Sequence, residues 1–127
     1  MSYQLFEDLV VWKRSARLSS DVYKELRELK DFGFKDQITR SGLSVPSNIA
    51  EGNERKSIKE LIHFLSIAKG SCGELRTQIY IGIDIGYIKP EIGQLWIEET
   101  RQISMMLSGL MKNKTTKLHK SGHIKKN

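Results

Sequence analysis

Apolar residues recur at helical spacing along most of the chain, and four stretches carry the pattern. From about residue 6 to 30, Leu9, Trp12, Ala16, Ser19, Tyr23 and Leu26 fall three or four apart, with Val11, Leu18, Val22 and Leu29 widening the stripe. Lys13, Arg14, Arg17, Lys24 and Glu28 take the opposite side. Asp31-Phe-Gly33 reads as the stop, because glycine takes the left-handed conformation without strain. A second helix is expected from about Phe34 to Glu51 on Phe34, Ile38, Val45 and Ile49, closed by Gly52. A third opens with the capping pattern Ser57-Ile-Lys-Glu60 and continues through Ile58, Leu61, Leu65, Ala68, Cys72, Leu75, Ile79 and Ile83. Residues 81–86 alternate like a strand, but one strand has nothing to pair with, so the helix is extended to about Gly86. The fourth begins at Pro90, where the missing amide costs nothing, and uses Ile92, Leu95, Trp96, Glu99, Ile103, Met106 and Leu110. Four helices with short connections predict an all-α, antiparallel up-down four-helix bundle.

The second helix holds an anomaly. Residues 44–52 read Ser-Val-Pro-Ser-Asn-Ile-Ala-Glu-Gly. A helix-interior proline removes a donor and crowds the carbonyl four residues back, here Gly42. Either the helix bends at Pro46, or a new helix starts there with Ser44 as its cap. The absence of a side chain at Gly42 lets a neighbouring helix come close. Polar residues flank the apolar line: Arg40, Ser44, Asn48, Glu51 and Arg55 here, Ser71 and Glu74 on the third helix. If they face inward, Arg40 or Arg76 pairs with Glu51 or Glu74, and Arg40, Asn48, Glu51 and Glu74 form a closed polar network that sets helix register.

Charge changes the picture only at one end. The 127 residues carry a formal net charge of +6. Residues 113–127 hold Lys114, Lys117, Lys120, Lys125 and Lys126 and no acid, so the rest is nearly neutral. This divides the chain into a bundle domain, 1–112, and a basic tail, 113–127, expected to be disordered because it has too few apolar residues to offset ordering entropy. No apolar run reaches the roughly 18 residues of a membrane span. A lone Cys72 and no secretory pattern fit a cytoplasmic protein.

The candidate chemistry is sparse. Glu60-Leu-Ile-His63 has the spacing used by di-iron bundles, but such a site needs two pairs, and His63 is the only histidine outside the tail. Gly42-Leu-Ser44-Val-Pro46 lacks the second glycine of a nucleophile elbow. Gly70-Ser-Cys-Gly73 is followed by no Gly-Lys-Ser/Thr phosphate loop. Cys72 falls on the apolar face, where a thiol is inert. The reading is a protein without catalytic residues, metal or cofactor.

Several motifs together resemble a known family. Phe6-Glu-Asp-Leu-x-Val-Trp12, Gln37-Ile-x-Arg40, Ser44-x-Pro-x-Asn-Ile-Ala-Glu-Gly52 with Arg55, and Ala68-x-Gly-Ser-x-x-Glu74 resemble the four-helix-bundle proteins named for intervening sequences in bacterial 23S ribosomal RNA genes. The resemblance spans roughly residues 5–111 and implies a helical bundle, often a homopentamer, with no enzymatic activity. It extends to the accessory variability determinant of diversity-generating retroelements, a basic pentamer that binds nucleic acid and a reverse transcriptase. The nearly neutral body of this chain departs from that basic relative.

Two roles follow as expectations. One is association with RNA or DNA, with Lys13, Arg14 and Arg17, then Arg55, Lys56 and Lys59, then Lys114, Lys117 and Lys120 meeting phosphate. No aromatic residues alternate with these charges, so base readout is not expected. The other is a homo-oligomeric scaffold for a protein partner, docking at residues 46–52 or on the first helix.

Overall fold

The computed structural model describes residues 4–126, with side chains through Lys120. A 3-10 turn at Phe6–Asp8 precedes α1 (Val10–Glu25), α2 (Phe32–Asn53), α3 (Ile58–Asp84) and α4 (Pro90–Lys126). No strand occurs among the described residues. Successive helices pack side by side, with α2–α3 and α3–α4 the main seams and α1 lying on α2 and α4. The fold is an all-α four-helix bundle.

The helix starts follow from caps. The Asp31 carboxylate accepts from the Phe34 amide at 3.1 Å and opens α2. Asp31 therefore begins the second helix, and α1 ends earlier than expected, at Glu25. Gly33 lies inside α2, and the left-handed glycine is Gly86, at φ 82. Gly86 follows the end of α3, so residues 81–84 are helical as expected. Ser57 Oγ accepts from the Glu60 amide at 3.0 Å. The Glu60 carboxylate lies 3.4 Å from Arg55.

Pro46 does not break α2, which runs unbroken from Phe32 to Asn53. The bundle closes around Val22, Ile38, Ile49, Leu65, Leu75, Ile79, Ile97, Ile103 and Leu107, all essentially inaccessible. Two departures from the expected stripes matter. Leu95 is 72% exposed, because α4 turns Ile97 and Thr100 inward instead. Tyr23 is 48% exposed, and with Trp12 and Ala16 it lines an outer groove between α1 and α2.

α4 continues as helix past residue 112 to Lys126. Residues 113–120 contain neither glycine nor proline, so nothing local stops it. At 37 residues against 27, α4 outruns α3 by about 15 Å at 1.5 Å per residue. The surplus lies at its C-terminal end, because the connection from α3 is only residues 85–89.

Candidate nucleic-acid interface

The nine basic candidates separate into three environments. Arg14 and Arg55 are engaged within the bundle. Arg14 grips Glu99 with two nitrogens, at 2.9 Å and 2.6 Å, joining α1 to α4. The Glu99 hydrogen bond raises the Arg14 pKa, against a smaller effect of burial. Arg55 reaches Glu51 at 2.7 Å and stacks 4.8 Å over the Phe64 ring. Both cations meet carboxylates that would compete with phosphate.

Lys56 and Lys59 are exposed at the α2–α3 turn. The same end of the bundle holds Lys114, which lines a small cavity with Leu9, Asn53, Leu61 and Leu110. Burial, then neighbouring Lys117, lowers the Lys114 pKa. Lys117 and Lys120 are exposed on the continuing helix. The fold thus collects Lys56, Lys59, Lys114, Lys117 and Lys120 at one pole. Lys13 and Arg17 are exposed on α1, about 6 and 12 Å past Leu9 along the helix axis. The side chains of Lys125 and Lys126 lie outside the described residues.

The expected Arg40–Glu51–Glu74 network does not form. Arg40 faces solvent and pairs with Asp36 one turn back at 3.2 Å. The inward line of α2 runs through Ile38, Gly42, Val45, Ile49 and Gly52, which leaves Arg40 and Glu51 outside it. Glu74 is exposed on α3. Asn48 bonds within α2, and its partner Ser44 makes the link to α3. The Asn48 amide donates to Ser44 O at 2.8 Å and to Ser44 Oγ at 2.9 Å, and Ser44 Oγ meets Ser71 Oγ at 2.7 Å. A second link was not legible as a pair. Arg76 Nε donates to Thr100 Oγ1 at 2.9 Å, and Arg76 Nη2 to Thr100 O at 3.2 Å. Cys72 is fully buried with Sγ 3.2 Å from Thr100 O, and burial pushes its thiol pKa up while Arg76 opposes the shift. A raised pKa makes a poor nucleophile. His63 is exposed against Phe64. No His, Cys, Asp and Glu group suited to a metal occurs among the described residues. Nor is any helix there long and apolar enough to cross a membrane.

An apolar groove runs between α1 and α2, lined by Phe6, Trp12, Ala16, Leu43, Pro46 and Ala50. Pro46, itself buried, borders this groove.

These features define an all-α bundle with a basic helical extension. The chain belongs to the 23S rRNA-intervening sequence protein family, whose model matches residues 7–109. Its fold is similar to the crystal structure of a protein with unknown function from the S23 ribosomal protein family of Bacteroides thetaiotaomicron VPI-5482. That likeness has a TM-score of 0.76 and 29% identity, covering 81% of this chain and 99% of the other. No curated protein matches the chain.

Proposed function

We propose that the chain is a non-enzymatic accessory protein that associates with RNA or DNA through its basic end. The observation that carries this reading is the C-terminal part of α4, a helix that outruns α3 and bears lysines without one carboxylate after Glu99. Lys56 and Lys59 at the same pole extend the positive surface. Phosphate backbones bind such surfaces by releasing counterions, independently of sequence. A gel-shift series on the full chain and on a variant with Lys114, Lys117 and Lys120 changed to Gln tests it. Low-salt binding of duplex DNA or RNA that weakens at least tenfold in the variant is expected. Absence of binding by the unaltered chain at low salt rejects it.

The α1–α2 groove favours a second reading, a homo-oligomeric scaffold that uses the groove for a further copy. Solution mass by light scattering tests it: a closed oligomer is expected, such as the pentamer the family resemblance implies, and a monomer at high concentration rejects it. Replacing Leu43 with Glu in the groove should lower the mass.

A further inference from the structure

A cleft of about 570 Å³ lies between α3 and α4, lined by Lys69, Arg76, Arg101, Ser104, Met105 and Ser108. Three of the six are cations, two carry hydroxyls, and none is acidic. Lys69 and Arg76 stand seven residues apart, two turns along one side of α3 and about 10 Å in rise. Gly73 lies between them in sequence, and a Cβ there would meet nothing within 4 Å. Across the cleft, Ser104 and Ser108 are one turn apart on α4.

The two guanidinium groups are held before any ligand arrives. Arg76 is fixed by its Thr100 bonds, which use two of its five N–H donors and leave three. Arg101 Nη2 donates to the Tyr80 hydroxyl at 2.9 Å. Glu98 pairs with Arg101 at 3.6 Å through one oxygen and accepts from Gln102 at 3.1 Å through the other, so a phosphate would compete with it for Arg101. The other nearby acid, Glu99, is engaged by Arg14. Preoriented guanidinium forks match tetrahedral phosphate oxygens, and ordering them beforehand removes part of the entropy cost of binding.

We infer that this α3–α4 cleft is a phosphate-binding site, with Arg76 and Arg101 as the forks, Lys69 as the third charge and Ser104 and Ser108 as hydroxyl donors. It is separate from the lysine pole and does not depend on the proposal made for that pole. The phosphate group belongs either to a nucleic-acid strand or to a free phosphate compound, and the two sources are separable.

The test uses the full chain in two measurements. Anisotropy with a labelled single-stranded RNA is followed against salt for the unaltered protein, the double variant Lys69→Gln with Arg101→Gln, and the arm variant Lys114→Gln, Lys117→Gln, Lys120→Gln. Thermal denaturation with and without pyrophosphate is followed for the unaltered protein and Ser108→Asp, which places a carboxylate in the cleft. Lys69 and Arg101 are exposed, so their loss leaves the core untouched. If a strand supplies the phosphate, the double variant loses about tenfold in RNA affinity and its log–log salt slope falls by about 1.4, two phosphates at about 0.7 each. If a free compound supplies it, pyrophosphate raises the melting temperature and Ser108→Asp abolishes the rise. The cleft is rejected if RNA affinity and slope match the unaltered protein in the double variant while pyrophosphate gives no rise that Ser108→Asp removes. It is rejected equally if the unaltered chain binds neither probe. RNA loss confined to the arm variant, with no pyrophosphate rise that Ser108→Asp removes, rejects the cleft and keeps the lysine pole; loss confined to the cleft variants does the reverse.

Discussion

Asn48 and Ser44 satisfy each other along α2, and Ser44 hands the link to Ser71 on α3. Replacing Asn48 with Leu removes two donated bonds and places an apolar side chain beside two hydroxyls. A loss of about 1–3 kcal/mol is expected from urea denaturation, and unchanged stability would show the link to be incidental. The half-exposed Arg14–Glu99 pair is two-pronged but solvent-screened, so Glu99→Gln should cost about 1 kcal/mol in the same assay. Asp31 supplies a pH dependence. The Phe34 amide, then the Tyr87 hydroxyl at 2.8 Å, hold its pKa below the ordinary value. The native state therefore takes up this proton less readily than the unfolded chain. The contribution is present at neutral pH and fades as pH falls through the lowered value. In melting curves taken from pH 7 down to about 2, Asp31→Asn should flatten part of the acid-side decline; a profile parallel to the unaltered protein contradicts this. Asn48 was legible in the sequence as a polar residue beside an apolar line. Its partners were not, because periodicity gives a face and not an azimuth fine enough to choose between Glu51 and Ser44.

At the scale of the helices, two glycines on α2 separate close approach from simple permissiveness. A methyl at Gly52 would sit 2.9 Å from Phe64 Cβ and 3.3 Å from the Leu61 carbonyl, where α2 turns toward α3. Gly52→Ala should cost about 1–3 kcal/mol by overpacking. A methyl at Gly42 would meet Ser19 at 3.7 Å, an ordinary contact. Gly42→Ala should therefore be neutral or stabilising by up to about 1 kcal/mol, since alanine is the better helix former. Equal effects at the two positions in chemical denaturation would contradict the packing described. The third helix was legible almost to the residue, because the Ser57 cap and Gly86 bracket an uninterrupted stripe. The first was read too long. Leu9 and Leu29 pack against the core from outside α1, and apolar spacing alone cannot distinguish them from helix.

For the whole molecule, the net charge of +6 is a statement about one pole more than about the bundle. Lys114, Lys117 and Lys120 were evident from composition, and their place at the same end as Lys56 and Lys59 follows from the up-down path of the chain. The α3–α4 cleft was not legible. Its three cations are spread over more than thirty positions of sequence on two helices, and only the pairing of α3 with α4 brings them together. Arg14 and Arg55 counted as surface charge in the sequence, whereas the fold gives each a carboxylate. The central claim is that phosphate is met at the lysine pole of an otherwise near-neutral bundle. The salt dependence of duplex DNA binding by the full chain tests it most directly. Lys56, Lys59, Lys114, Lys117 and Lys120 each neutralising a phosphate predict a log–log slope of about −4.5, moving to about −2 when Lys114, Lys117 and Lys120 become Gln. Binding whose slope is near zero, or whose slope is unchanged in that variant, would contradict it.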